Sequence, residues 1–120
     1  MASMRSALFG VLLTSCATGP DGELEEPVED VELCAAYTWD TVGHPFVLSW
    51  CTGCHGEGVP EGQRAGAPVG VDLDTEALVA TFAERIAVRA TGTEPDMPPA
   101  GGPSDREIED LEMWLACREE

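Results

Sequence analysis

The sequence contains no lysine, and cations of any kind are few. Six of its 120 residues are arginine against 23 Asp and Glu, so the formal net charge is −17. A surface of this sign repels phosphate backbones, and nucleic-acid binding is therefore not expected. The acidic surface favours a partner protein with a basic docking patch, although it is equally consistent with a role in solubility alone.

Aromatic residues are scarce, at 6% of the chain, and no stretch alternates apolar and polar residues as a half-buried strand would. The predicted fold class is therefore all-α, with long loops that contain many of the 13 glycines and 9 prolines. A chain of this length forms one domain with a modest core, which usually needs a cofactor, a metal or disulfides for stability. The five cysteines agree with that requirement.

The N-terminus is predicted to be a targeting segment. Residues 1–15 carry one cation, Arg5, followed by an apolar run too short to cross a bilayer as a helix of the folded protein. The run ends in the sequence LTSC, which resembles a bacterial lipobox. The resemblance implies a signal peptide of lipoprotein type, a lipid on Cys16 and, because Ala17 follows, anchoring on the periplasmic side of the outer membrane. An ordinary signal peptide or a weak helix with a chance cysteine are the alternatives.

Residues 16–32 are predicted to form an acidic flexible linker, because they contain too few apolar side chains to order themselves. Residues 33–120 are predicted to form the domain, with three helices. The first begins near Pro45 and leads into Cys51, the second spans about 75–89 after an N-cap at Asp74 or Thr75, and the third opens at a capping box over residues 104–107. The predicted core faces of these helices comprise Phe46, Val47 and Trp50, then Leu78, Val79, Phe82 and Ile86, then Ile108, Leu111, Trp114 and Leu115.

Residues 51–55 read CTGCH, which is a CxxCH motif. Cysteines at this spacing bond covalently to the two vinyl groups of one haem, and the next residue, His55, then supplies a ligand to the iron. A thioredoxin-like redox pair of Cys51 and Cys54 is one alternative, but no βαβ pattern accompanies it. Zinc bound by the same three residues with His44 is another. Export and the all-α context favour haem.

Met97 is the predicted second iron ligand. Pro98 and Pro99 follow it, and each fixes φ, so the loop is stiff; its polar surroundings argue against a core position for the thioether. Met113 and His44 are the alternatives. A thioether ligand favours ferrous iron and closes the sixth position, which predicts electron transfer rather than oxygen chemistry.

The order of these features resembles the class I cytochrome c domain over about residues 39–117: a helix, CTGCHG, a Gly/Pro loop, a helix, MPP and a closing helix. The chain also looks like a group of bacterial cytochrome c-like lipoproteins. The resemblance implies an electron carrier rather than an enzyme, with one covalent haem c among three or more helices and the first and last helices crossing. It implies redox partner proteins, and a Pro68 carbonyl that accepts a hydrogen bond from the haem-ligating imidazole, with a simple turn as the alternative. A haem-based redox or gas-sensing module is the alternative function.

The resemblance further implies that Cys34 and Cys117 lie together and form a disulfide in an oxidising compartment, rather than remaining two buried thiols. Arg85 and Arg89 are one turn apart at the edge of the second helix's apolar face. With Arg64, they are candidates to bind the haem propionates. The alternative is that they extend along the rim or pair with surface acids.

Overall fold

The computed structural model describes residues 30–118. The predicted signal peptide, Cys16 and most of the predicted linker lie outside the described residues. No strand occurs within residues 30–118, which confirms the all-α class. The six α-helices of this part are α1 Asp30–Cys34, α2 His44–Trp50, α3 Thr52–His55, α4 Glu76–Thr81, α5 Ala83–Ala90 and α6 Asp105–Cys117. A π-helical turn (Trp39–Gly43) and a 3₁₀ turn (Glu61–Gln63) complete the order.

The start of α1 at Asp30 places a helix inside the last three residues of the predicted linker. α1 packs against α6. Cys34 and Cys117, the last residues of these two helices, lie at disulfide distance, with Sγ atoms 2.02 Å apart and Cα atoms 5.4 Å apart. Cys34 and Cys117 are therefore close together, as the resemblance implied.

The helix that leads into the CxxCH motif is divided in two. α2 has its proline in the first turn, as predicted, and ends at Trp50. Cys51 has a φ of −114°, and its N–H still donates to the carbonyl of Val47 at 2.9 Å. α3 then follows and stops at Gly56, whose ψ of 138° is extended. The motif thus forms its own short helical turn.

The predicted helix over 75–89 is also interrupted. Thr75 is the N-cap, and its hydroxyl accepts from the N–H of Leu78 at 3.2 Å. The helical bonding breaks at Phe82, whose N–H donates to the carbonyls of Val79 and Ala80. The hydroxyl of Thr81 donates to the carbonyl of Ala77 at 3.1 Å, a side-chain bond that competes with the backbone ladder and bends helices. The continuous helix predicted from periodicity is therefore α4 and α5.

α6 begins with the predicted capping box. The Ser104 hydroxyl accepts from the N–H of Glu107 at 3.3 Å, and the Glu107 carboxylate accepts from the N–H of Ser104 at 2.8 Å. The other carboxylate oxygen accepts from Nε1 of Trp50 at 3.1 Å. One glutamate thus stabilises the start of α6 and connects it to the end of α2.

One cluster of buried apolar residues joins these helices. Gly43 lies where a side chain would not fit, because a Cβ there would be 2.6 Å from the Trp114 ring and 2.7 Å from that of Trp39. The buried cluster comprises Phe46, Val47, Leu73, Val79, Ala90, Leu111, Trp114 and Leu115.

No helix of the described part combines the length and the apolar character that crossing a membrane would require.

Candidate functional site

A cavity of about 560 Å³ lies between the CxxCH segment, the loop over residues 64–73, α5 and the loop over residues 97–100. Its volume is within the range of about 300–1,000 Å³ usual for cofactor sites. Most of the side chains around it are apolar, including Phe46, Trp50, Phe82 and Ile86. The cavity therefore suits a large, mainly apolar ligand with a few polar attachment points.

Every residue predicted to contact the cofactor or its iron lines this one cavity. His44 and Met113, the alternative ligands, do not line it. His44 instead stacks on Trp39, with ring centroids 5.3 Å apart. The predicted residues that the fold brings together are Cys51, Cys54, His55, Arg64, Pro68, Arg85, Arg89 and Met97.

Cys51 and Cys54 are half-buried free thiols at the cavity. Burial raises the pKa of Cys51 to about 11, so this side chain is a neutral thiol at physiological pH. A thioredoxin-type redox cysteine has the opposite shift. Among residues 30–118, no group of three or more His, Cys, Asp and Glu is placed to hold a metal ion. The raised pKa of Cys51 does not support the redox-pair alternative, and the described residues do not support the zinc alternative.

The ring of His55 is oriented by one hydrogen bond. Its Nδ1 lies 2.9 Å from the carbonyl oxygen of Val71. A carbonyl only accepts, so Nδ1 carries a hydrogen, and in the neutral imidazole Nε2 then keeps its lone pair. This is the tautomer in which Nε2 can bind a metal while Nδ1 is held by an outer partner.

The acceptor is Val71 and not Pro68, which the resemblance implied. The expected carbonyl of Pro68 accepts from Nη2 of Arg64 at 3.1 Å, and the loop reaches the ring of His55 only at Val71. The same loop also holds the backbone of His55, since the N–H of Leu73 donates to the His55 carbonyl at 2.8 Å. The loop thus fixes His55 at both its ring and its backbone.

Arg64 has a different position from the one predicted. Its side chain is 2% exposed, and its guanidinium donates to protein acceptors through all three nitrogens. A guanidinium has five N–H donors, and here six protein oxygens engage them, with the two hydrogens of Nη2 shared among three acceptors, so none is left for a propionate. The acceptors are the carbonyls of Gly56 (2.8 Å), Val59 (3.4 Å), Ala67 (3.3 Å), Pro68 (3.1 Å) and Val71 (3.1 Å), and Oδ1 of Asp72 (2.7 Å).

One sequence signal could have identified this role. The loop around Arg64 has few regular backbone hydrogen bonds, and a buried carbonyl without a donor is costly. Arg64 is the only cation between Arg5 and Arg85, so it is the one charged donor within this loop. A long loop with a single arginine and a nearby aspartate predicts that the arginine bonds the loop's own carbonyls.

Met97 lies in a loop attached to the end of α5. The N–H groups of Asp96 and Met97 both donate to the carbonyl of Arg89 at 2.9 Å. Nε of Arg89 lies 2.7 and 2.8 Å from the two carboxylate oxygens of Asp96. This hydrogen bond raises the pKa of Arg89 and lowers that of Asp96. Arg89 therefore pairs with a surface acid, which was the alternative to binding a propionate.

Arg85 lines the cavity with an exposed side chain. In the described part of the chain, its guanidinium makes no ion pair. Arg64 and Arg89 each pair with an aspartate. Arg85 is therefore the one candidate for a propionate whose guanidinium pairs with no acid in the described part of the chain.

Comparisons with protein-family models, with curated proteins and with solved structures found no match to this chain. The interpretation of the cavity therefore depends on the residues around it.

Proposed function

We propose that residues 33–120 form a monohaem c-type cytochrome domain that transfers single electrons. The observation that carries the proposal is that Cys51, Cys54, His55 and Met97 line one apolar cavity, although Met97 belongs to a separate loop far along the chain. CxxCH alone is a short motif with chance matches. A thioether that faces the same cavity as the motif is an independent feature, and it is the one that distinguishes a carrier.

The residues present fit a haem. The volume and the apolar lining suit a porphyrin, Cys51 and Cys54 are free thiols for two thioether bonds, and the His55 tautomer leaves Nε2 available for iron. Met97 would supply the second axial ligand. When bound, the haem supplies a one-electron Fe(III)/Fe(II) couple.

The chain's own residues favour electron transfer over other haem chemistry. His55 and Met97 would both hold the iron of a bound haem, which would favour electron exchange over binding of an exogenous ligand. The thioether of Met97 would favour the reduced state. In the described cavity lining, His55 is the only histidine, so no second imidazole is placed there to move protons. These features support a carrier rather than a sensor or a peroxidase.

The remaining parts of the proposal concern location and partners. Export, a lipid on Cys16 and a periplasmic position at the outer membrane are proposed from the N-terminal sequence. The proximity of Cys34 to Cys117 supports an oxidising compartment. The net charge of −17 supports redox partners that dock through a basic patch.

Spectroscopy of protein matured in a periplasm tests the proposal. We expect a six-coordinate spectrum, the weak band near the red edge that reports thioether ligation, slow or absent CO binding, and haem that survives denaturation. Rapid CO binding by the native ferrous protein would instead support the gas-binding alternative.

A double variant, Cys51→Ala with Cys54→Ala, should contain no haem that survives denaturation. The matched control is Cys34→Ala with Cys117→Ala, which also removes two cysteines but leaves the cavity thiols. Covalent haem in the first variant, or its loss in the second despite a folded chain, contradicts the assignment of the motif.

A further inference from the structure

We infer that Arg64 is the positioning residue of His55: its buried guanidinium holds the Val71 carbonyl against Nδ1 of the imidazole. The inference rests on the proposed function, since it concerns the orientation of an iron ligand. The hydrogen bonds that carry it are all present in the described chain.

Arg64 connects two segments near His55: one leaves the CxxCH motif, and the other returns to it further along the same loop. Nη1 donates to the carbonyls of Gly56 and Val59, which directly follow the CxxCH motif. Nη2 donates to Pro68 and Val71, in the part of the loop that returns to the motif. Because one planar group joins both segments, it fixes their separation.

The carbonyl of Val71 accepts two hydrogen bonds, from Nδ1 of His55 at 2.9 Å and from Nη2 of Arg64 at 3.1 Å. A carbonyl oxygen has two lone pairs, so both bonds can exist together. Arg64 therefore restrains the oxygen from one side while the imidazole bonds it from the other. The orientation of the His55 ring depends on where this oxygen is held.

Asp72 makes the buried cation tolerable. Its Oδ1 accepts from Nη2 of Arg64 at 2.7 Å, and its side chain is 18% exposed against 2% for Arg64. A buried charge without a partner is costly, and Asp72 supplies the partner one residue after Val71. The ion pair thus also attaches the segment that carries the acceptor.

The shape of the guanidinium is essential to this role. Arginine presents five donors in a rigid plane, whereas the lysine ammonium presents three donors around one point. A lysine at position 64 would keep the charge but could not bond carbonyls on both segments. Arg64→Lys and Arg64→Gln therefore separate the bridging geometry from the charge.

The test measures hydrogen exchange in the haem-loaded ferrous protein by NMR. The signal is the Nδ1–H of His55, and the N–H of Leu115 in α6 reports global opening in the same sample. The readout is the ratio of the two exchange rates, so a general loss of stability cancels. The matched control is Arg106→Gln, which removes an arginine from an exposed pair with Asp110 (N–O distance 3.0 Å).

We expect the ratio to rise at least tenfold in Arg64→Lys and Arg64→Gln and to stay at the wild-type value in Arg106→Gln. If Arg64→Gln does not load haem, Arg64→Lys still decides, since it keeps the charge that balances Asp72. An unchanged ratio in Arg64→Lys overturns the inference, because charge alone then suffices. A wild-type protein without covalent haem refutes the proposed function instead, and this is seen before any variant is compared.

Discussion

The two sides of the cavity are each held by an arginine–aspartate pair, and the pairs differ in burial. The His55 wall, residues 55–73, contains Arg64 and Asp72, whose side chains are 2% and 18% exposed. The Met97 wall, residues 89–102, contains Arg89 and Asp96, which are 43% and 59% exposed. The same two residue types, at the same N–O distance of 2.7 Å, therefore lie in very different environments.

This difference implies one rigid wall and one adjustable wall. Removing one partner of a buried pair leaves an uncompensated charge and unpaired carbonyls, which is strongly destabilising. An exposed pair is screened by water and salt and contributes little. We therefore expect the His55 side to keep its geometry under conditions that alter the Met97 side.

The Met97 wall has a second support, which is steric. Gly102 packs on the ring of Trp50 so closely that a Cβ at this position would clash with it. Its φ of 126° is also strongly disfavoured for a residue with a side chain. Close packing of Gly102 on Trp50 thus restrains the Met97 wall, whereas the buried ion pair restrains the His55 wall.

The largest expected effect is that of Arg64→Met, which removes every donor to the loop while keeping an apolar chain of similar length. We expect it to lower the free energy of unfolding by about 3–5 kcal/mol, because Asp72 loses its buried partner and five carbonyls each lose one hydrogen bond. Arg89→Met is the control, with a much smaller loss. Urea unfolding of the haem-loaded proteins measures both. Equal losses would show that burial does not distinguish the two walls.

An intermediate effect is expected for Gly102→Ala compared with Gly101→Ala. Both glycines have positive φ, but a Cβ at Gly101 meets nothing within 4 Å, whereas one at Gly102 meets Trp50. The first substitution should cost about 1–3 kcal/mol more than the second, through overpacking and through the less accessible φ of 126°. The difference in the free energy of unfolding is the measured quantity. The red-edge absorbance of Gly102→Ala should also weaken. A band of full strength would show that Gly102 does not help to place Met97.

The smallest effect concerns pH at the exposed pair. The hydrogen bond from Arg89 lowers the pKa of Asp96 below its ordinary value near 3.8. The contribution of the pair is therefore complete above that ordinary value and is lost as the pH falls through the lowered one. We expect the red-edge band to decline in this acidic window and to weaken slightly in 1 M salt, which screens exposed charges.

Asp96→Asn is the control for this titration, because an amide does not titrate there. Bonds to Ser104 and Trp50 also lower the pKa of Glu107, and this contribution to the acid profile remains in the variant. The difference between wild type and Asp96→Asn isolates Asp96. Identical acid profiles would show that the exposed pair does not hold Met97.

The elements that the sequence predicts well are those whose cause is local. The capping box at Ser104, the proline in the first turn of α2 and the N-cap at Thr75 each depend on neighbours within a few residues, and each is present. The break at Phe82 was missed because hydrophobic periodicity continues across it. The Thr81 hydroxyl makes a hydrogen bond at the break, and this bond does not alter the spacing of the apolar residues.

The site was predictable in its residue types but not in its connections. Cys51, Cys54, His55 and Met97 were identified from spacing and neighbouring prolines, and all four line the cavity. Which carbonyl faces His55 depends on the path of a loop without periodicity. For this reason the resemblance implies Pro68 in the position that Val71 occupies, and the sequence offers Arg64 as a candidate for a propionate without indicating that it bonds the loop.

The bond between Cys34 and Cys117 has a mechanical consequence. The residues between them, and therefore both walls of the cavity, lie inside one covalent ring. Tension applied to the chain before Cys34 passes through the sulfur bridge to the end of α6 and does not stretch the ring. Force applied between the residues before Cys34 and those after Cys117 would then bypass the ring, and the geometry of the two walls would not depend on it.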